Sequence, residues 1–288
     1  MTMTADSMPM IRPDYLEAGS SGPVVVLLHS SVAGARQWRR LMDDLRSEFR
    51  VIAVNLFGYG GTAAWPPGNV QTLDDQARLV EGAIPLDAEE VHIVGHSFGG
   101  AVAMRLAARL AERTGKLILF EPIPFHLLRE AGRTEALVEV LTLRDWVRTY
   151  GVLGEWESAA ERFADYWNGG GSWQRMTPER RKAFAAALRP NYCEWDAVMN
   201  DGTPLEEWAR ILPRSTLLLM DRETVRPVRA VTALLRRACP WWRYLEVSAG
   251  GHMAPLTNPC FVNPLIRSFL RQRLDASRRQ PALAGSRP

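Results

Sequence analysis

Cysteine is scarce in this chain and shows no paired spacing. The 288 residues include only three cysteines, and no two of them form a Cys-x-x-Cys motif. An odd number without that spacing argues against a disulfide framework and gives no indication of a zinc site. We therefore expect Cys193, Cys239 and Cys260 to be buried apolar side chains, and we expect the protein to need neither a metal ion nor another cofactor.

Long apolar runs are also missing. No stretch approaches the ~18 consecutive apolar residues that a membrane-spanning helix requires. The first ten residues lack the apolar centre of a secretory signal peptide. We therefore expect a soluble, cytoplasmic protein without a membrane partner.

The chain carries little excess charge, and one end accounts for it. The formal net charge is +3, whereas residues 271–288 hold five arginines and one aspartate, a charge of +4 that leaves −1 for the rest. A nearly neutral body offers no basic surface for nucleic acid, so we expect no nucleic-acid partner. The basic, Pro- and Ala-containing end predicts a disordered tail at residues 274–288. Nothing in the composition indicates an oligomeric state.

The most informative pattern present is a Gly-x-Ser-x-Gly motif between a strand and a helix. Residues 91–94 are apolar and predict a buried strand, and residues 101–112 predict a helix. In a nucleophile elbow the serine occupies a strained backbone position, and side chains two residues to either side would collide. Gly95 and Gly99 remove those side chains. The motif therefore predicts that Ser97 is an exposed nucleophile.

This motif and its surroundings resemble the α/β-hydrolase family, over a range from about Leu16 to Leu270. The resemblance implies an α/β fold in which a mostly parallel central sheet is flanked by helices. The strand and helix alternation stops after residue 121 and resumes near residue 214, where the family holds a helical cap. We therefore predict a core at residues 1–121 and 214–273, and a cap at residues 122–213.

The resemblance also implies a general base and an oxyanion hole. His252 follows Ala249-Gly250-Gly251 on a loop after the last predicted strand, where the family has its base. The backbone N–H groups of Ser31 and Phe98 occupy the positions of the oxyanion donors. The sequence departs from the family at Ser30, where a glycine is common.

The acid of the expected triad has more than one candidate. The family usually carries it after the strand that follows the cap, and Asp221 and Glu223 lie there, without the usual glycine. Glu121 instead ends the strand after the elbow helix. Some haloalkane dehalogenases and a lactone hydrolase acting on zearalenone have their acid at that strand end. We favour Glu121 and keep Glu223 as the alternative acid.

A serine, a histidine and a carboxylate together predict acyl chemistry by an activated serine. Dehalogenases and epoxide hydrolases of this fold use an aspartate nucleophile, so Ser97 excludes both mechanisms. We expect hydrolysis of a carboxylic ester or lactone. Carbon–carbon bond hydrolysis, acyl transfer and a non-catalytic ligand-binding receptor remain open. Six of the ten tryptophans lie in the predicted cap, where they either fill its core or roof an apolar substrate: Trp146, Trp156, Trp167, Trp173, Trp195 and Trp208.

Overall fold

The computed structural model describes residues 11–272, so the predicted tail at 274–288 lies outside the described residues. Within the described part the chain forms seven strands: β1 (Tyr15–Ala18), β2 (Val24–Leu28), β3 (Arg50–Val54), β4 (Val91–His96), β5 (Thr114–Phe120), β6 (Thr216–Asp221) and β7 (Arg243–Val247). They form one sheet in the order β1-β3-β2-β4-β5-β6-β7. The β1–β3 pair is antiparallel and every other pair is parallel.

Twelve α-helices accompany the strands within residues 11–272. They are α1 (Arg39–Leu45), α2 (Leu73–Glu81), α3 (Phe98–Leu110), α4 (His126–Glu130), α5 (Thr134–Val152), α6 (Trp156–Asn168), α7 (Pro178–Leu188), α8 (Asn191–Met199), α9 (Leu205–Ile211), α10 (Arg226–Ala238), α11 (Ala254–Thr257) and α12 (Pro259–Arg271). None of these helices is long and apolar enough to cross a membrane. The predicted α/β-hydrolase fold class is confirmed by this arrangement.

The central strands are apolar along their whole length because helices cover both faces of the sheet. Every residue of β2 and of β4 is buried. Side chains on one face of the sheet pack with α1 and α12, and those on the other face pack with α2, α3 and α10. The second of these cores continues into the helices between β5 and β6. Cys239 is buried in it, as predicted, whereas Cys193 is only half-buried and Cys260 on α12 is exposed, so the prediction of burial was wrong for these two residues.

Helices α4 to α9 all lie between β5 and β6 in the chain. They pack mainly on one another, and α4, α5 and α9 also contact α10. We propose that they constitute a cap at residues 122–213 on a core formed by the described parts of residues 1–121 and 214–273, namely 11–121 and 214–272.

The parallel strands place the loops that follow them at one edge of the sheet. His96, the last residue of β4, pairs with Phe120, the last residue of β5. The next residues, Ser97 and Glu121, therefore leave the sheet side by side. The loops after β2, β3, β6 and β7 leave the same edge, so six loops meet where the sequence predicted the chemistry.

Candidate active site

Ser97 sits in the strained turn that its motif predicts. Its backbone has φ 56° and ψ −117°, a combination that non-glycine residues rarely adopt. A Cβ at Gly95 would lie 2.4 Å from the carbonyl oxygen of Gly99, and one at Gly99 would lie 2.4 Å from that of His29. The two glycines are therefore required by contact between β4, α3 and the loop after β2. The Ser97 N–H donates to the carbonyl of Phe120 at 3.0 Å, which ties the turn to β5.

Three of the predicted site residues meet at the sheet edge. Ser97 Oγ lies 2.9 Å from His252 Nε2, and His252 Nδ1 lies 2.6 Å from Glu121 Oε2. All three side chains are buried, with 4%, 4% and 0% of Ser97, His252 and Glu121 exposed. This order of groups lets the imidazole take a proton from the serine while the carboxylate holds the other ring nitrogen.

The carboxylate of Glu121 is held by more than the histidine. Oε1 accepts a hydrogen bond from the N–H of Asp221 at 2.7 Å, and Oε2 accepts one from Thr224 Oγ1 at 2.7 Å. Glu121 also has φ 47°, in the left-handed region, so the chain turns sharply as β5 ends. Sequence reasoning missed Thr224, and no local pattern singles it out.

The other two acid candidates do not contact His252 through their carboxylates. Asp221 is fully buried and uses Oδ2 to accept the N–H of Ala249 at 2.7 Å, while its Oδ1 accepts the N–H of Glu223 at 3.0 Å. It therefore fixes the start of the loop that carries His252. Glu223 itself is exposed.

The loop after β2 carries Ser31, one of the two predicted oxyanion donors. His29 organises this loop, because its Nδ1 donates to the carbonyl of Ser30 at 2.8 Å and its Nε2 accepts the N–H of Leu56 at 3.1 Å. Burial lowers the pKa of His29 to about 4, so the ring is neutral near pH 7. Phe98 is the first residue of α3, where a backbone N–H has no acceptor within the helix. Ser31 and Phe98 line one cavity together with Ser97.

A further histidine, His96, is hydrogen-bonded to the backbone of His252. Its Nε2 donates to the backbone carbonyl of His252 at 2.8 Å, and its Nδ1 accepts from Gln37 Nε2 at 3.0 Å. Burial lowers the pKa of His96 well below its ordinary value, so the ring stays neutral. Sequence reasoning missed this role, although His96 stands directly before Ser97.

A buried acid on one of the helices between β5 and β6 also reaches the site. Glu194 on α8 accepts hydrogen bonds from Ser31 Oγ at 2.5 Å, from Asn191 Nδ2 at 2.9 Å and from the hydroxyl of Tyr59 at 2.8 Å. Burial raises the pKa of Glu194 above its ordinary value, although the three hydrogen bonds act in the opposite direction. No sequence motif pointed to this residue.

The cavity beside Ser97 is small, with a volume of about 20 Å³, and is lined mainly by apolar side chains, most of them from the helices between β5 and β6. Two of the six tryptophans of that region line it, and the ring of Trp167 lies over His252 with centroids 4.2 Å apart. No lysine or arginine is among the lining residues, and within residues 11–272 no group of His, Cys, Asp or Glu is arranged to hold a metal ion. The apolar lining comprises Phe98, Ile123, Phe163, Trp167, Trp195, Val198 and Met253.

Comparison with known proteins gives several matches. A 2-hydroxymuconate semialdehyde hydrolase of Pseudomonas sp. is 35% identical over 225 residues, which are 74% of this chain and 74% of that protein. The biotin biosynthesis bifunctional protein BioHC of Teredinibacter turnerae is 26% identical over 98% of this chain, which spans only 51% of that protein. The crystal structure of an enol-lactonase from Burkholderia xenovorans superposes with a TM-score of 0.69 at 18% identity, covering 90% of this chain and 96% of that one.

These matches bear on the fold and the family to different degrees. At 18% identity, the likeness to the enol-lactonase shows the fold alone. The family model described as the alpha/beta hydrolase family matches residues 25–265, which include all six loops at the sheet edge. That match covers most of the chain, and the chain therefore belongs to the alpha/beta hydrolase family.

Proposed function

We propose that the protein is a serine hydrolase that cleaves a carboxylic ester or a lactone of a fairly apolar substrate. The observation that carries this proposal is the series of short contacts from Ser97 Oγ to His252 Nε2 at 2.9 Å and from His252 Nδ1 to Glu121 Oε2 at 2.6 Å. A serine hydroxyl is too weak an acid to attack a carbonyl unaided, and this arrangement supplies the base and its orienting carboxylate.

In the proposed reaction, Ser97 Oγ attacks the carbonyl carbon while His252 Nε2 takes the hydroxyl proton. The tetrahedral intermediate collapses, the bond to the leaving oxygen breaks, and His252 returns the proton to that oxygen. A water molecule then attacks the acyl-enzyme with His252 again as the base, which releases the acid and restores the Ser97 hydroxyl. Throughout these steps, Glu121 accepts a hydrogen bond from the Nδ1–H of His252 and stabilises the imidazolium.

The backbone N–H groups of Ser31 and Phe98 are the proposed donors to the developing oxyanion. Phe98 is suited to this role because its N–H lies at the N-terminus of α3, a helix of 13 residues whose dipole is positive there. Loss of one such donor typically lowers kcat by about 10²- to 10³-fold.

The composition of the cavity supports a neutral, apolar acyl group. Its lining is mainly apolar and contains no lysine or arginine, whereas Glu194 contributes a carboxyl group. An anionic group close to the scissile bond would therefore find no cationic partner there. This feature favours a neutral ester or lactone over a substrate that carries a carboxylate beside the reacting carbon.

Carbon–carbon bond hydrolysis is the second candidate, because it uses the same three side chains. The relative named 2-hydroxymuconate semialdehyde hydrolase, 35% identical to this chain, favours it. Acyl transfer also uses these groups and differs in which acceptor reaches the acyl-enzyme. A non-catalytic receptor is disfavoured, since a receptor would have no need of a hydrogen-bonded nucleophile, base and acid.

The proposal is tested by labelling and turnover. The wild-type protein should form a covalent adduct with a fluorophosphonate at Ser97, identified by peptide mass, and should hydrolyse p-nitrophenyl esters or aryl lactones. Ser97→Ala should lose the adduct and about 10⁶-fold in kcat, while the exposed Ser47→Ala variant should behave like wild type. Retention of ester turnover by pure Ser97→Ala protein would refute the mechanism, and turnover of vinylogous diketones alone would favour the second candidate.

A further inference from the structure

Glu194 is a buried carboxyl group for which the proposed catalytic steps assign no role. It lies on α8 with 1% of its surface exposed, and it faces the loop that follows β2. Its Oε2 accepts from Ser31 Oγ and from Asn191 Nδ2, and its Oε1 accepts from the hydroxyl of Tyr59. All three donors are neutral groups, so no ion pair compensates for its burial. A carboxyl group kept in such a place is a candidate for a functional role.

The loop that Glu194 holds is strained at the residue after Ser31. Val32 has φ 72°, which is a genuine outlier for a β-branched side chain. The N–H of Val32 donates to the hydroxyl oxygen of Tyr59 at 3.0 Å, and that hydroxyl donates to Glu194. Glu194 therefore holds two consecutive residues of the loop, Ser31 directly and Val32 through Tyr59. Strained residues persist only where surrounding contacts determine their conformation.

We propose that Glu194 is a positioning residue through which α8 holds the backbone N–H of Ser31 in the geometry that binds the oxyanion. The inference rests on the proposed function, because it assigns Ser31 as an oxyanion donor. It adds that the oxyanion hole is completed by the cap, so that a displaced cap leaves Ser97 and His252 paired but the hole unformed.

The contacts of Glu194 favour a carboxylate over an amide, because a carboxylate accepts from all three donors at once. In Glu194→Gln, an NH₂ group directed at Tyr59 would meet a hydroxyl that can no longer donate to it, and this hydroxyl already accepts the N–H of Val32. An NH₂ group directed the other way would face the NH₂ of Asn191. Either orientation reverses or breaks one of the hydrogen bonds that the carboxylate accepts, so the substitution should weaken the hold on Ser31, Val32 or both.

The first test compares Glu194→Gln with a matched control on the same helix. Asp196 lies two residues after Glu194 on α8, and its carboxylate accepts a hydrogen bond from Arg148 Nη2 at 2.6 Å. The control variant Asp196→Asn removes that carboxylate. We expect Glu194→Gln to lower kcat about 10- to 100-fold, part of the effect of losing one oxyanion donor, with KM changed by less than about 3-fold. Asp196→Asn should retain the kcat of the wild type.

A second readout separates oxyanion stabilisation from general damage. An aryl trifluoromethyl ketone adds to an active serine and forms a hemiketal whose oxyanion occupies the hole, whereas the matched carbinol forms none. Glu194→Gln should weaken binding of the ketone by the same factor as kcat and leave binding of the carbinol unchanged. Ser31→Ala keeps the backbone N–H but removes the contact with Glu194, so its effect should be in the same direction. The effects of the two substitutions should not add in the double variant.

The outcomes are distinct. A folded Glu194→Gln protein with wild-type kcat, or one whose kcat falls while its affinity for the ketone does not, overturns the inference. If Glu194→Gln does not fold, the Ser31→Ala variant carries the test by the same two measurements. Failure of the wild-type protein to form any adduct at Ser97 would instead overturn the proposed function, and this is measured before any Glu194 variant is made.

Discussion

The identity of the acid gives the sharpest test of the site, through the substitution Glu121→Gln. Glu121 Oε1 accepts the N–H of Asp221 at 2.7 Å, so the glutamine oxygen should be directed there. The NH₂ group then faces His252 Nδ1 and donates to it. A ring that accepts at Nδ1 carries its proton on Nε2 and cannot take the proton of Ser97. The reversed amide would direct its NH₂ at the N–H of Asp221, which is also unfavourable.

The expected loss follows from this tautomer. Replacement of a triad carboxylate by its amide typically lowers kcat ~10⁴-fold, which corresponds to ~5.4 kcal/mol of transition-state stabilisation. The shape of the side chain is kept, so the unfolding transition in urea should move far less than the rate does. Initial rates with a p-nitrophenyl ester, measured under saturation and corrected by active-site titration, give kcat directly.

Two further carboxylates act as internal comparisons. Glu223→Gln alters an exposed side chain and should retain wild-type kcat within about 2-fold. Asp221→Asn keeps an oxygen for the N–H of Ala249, so it should have an intermediate effect through the loop that carries His252. The assignment of Glu121 is refuted if Glu121→Gln stays near wild type while Glu223→Gln or Asp221→Asn abolishes turnover.

Two other predictions concern the rings of His29 and Trp167. The pKa of His29 is about 4 in the folded protein against 6.5 unfolded, so the unfolded chain binds more protons between these values, and stability is lost as pH falls through that window. His29 alone should lower the free energy of unfolding by ~2 kcal/mol from pH 7.5 to 5 in urea titrations, and an unchanged pH dependence in His29→Gln would contradict this. Trp167→Leu removes the ring over His252 and should lower kcat about 3- to 30-fold, because a cation–π contact with the imidazolium is lost. The control Trp173→Leu removes a ring packed on Phe184, so it should lower the free energy of unfolding but not kcat. Equal losses of kcat in the two variants would refute the role of the cation–π contact.

Much of the fold was predictable because its signals are local. The apolar run 24–28 and the glycines around Ser97 specify a buried strand and a sharp turn from a few adjacent residues. The position of His252 was inferred from the family resemblance together with its glycine-rich loop. The contact of Glu121 with His252 followed from strand order, since β4 and β5 are parallel neighbours and end in register.

The remaining parts of the site depend on contacts between distant segments. Ser31 and Glu194 are separated by 163 residues, and no periodicity connects a loop after β2 with one face of a cap helix. The tryptophans between β5 and β6 differ in environment, because helix packing decides which helix face lines the cavity. Trp195 lines the cavity, whereas Trp208 is fully buried beneath the guanidinium of Arg105 at 4.7 Å. The core-filling interpretation therefore applies to Trp208, whereas contact of Trp195 with an apolar substrate stays a prediction.

Because Glu121 contacts His252, Asp221 can hydrogen-bond to the backbone of the loop that carries His252. With Glu121 bonded to His252 Nδ1, Asp221 accepts the N–H of Ala249, and His96 donates to the carbonyl of His252. The base is thereby held at its ring, at its own backbone and at the start of its loop, by residues at the ends of three adjacent parallel strands. In the proposed mechanism, these contacts at the strand ends would let the imidazole accept and return a proton without losing its orientation toward Ser97. The missing glycine after β6 does not argue against the proposed triad, since Asp221 at the end of β6 holds the loop of His252 while the proposed acid, Glu121, follows β5.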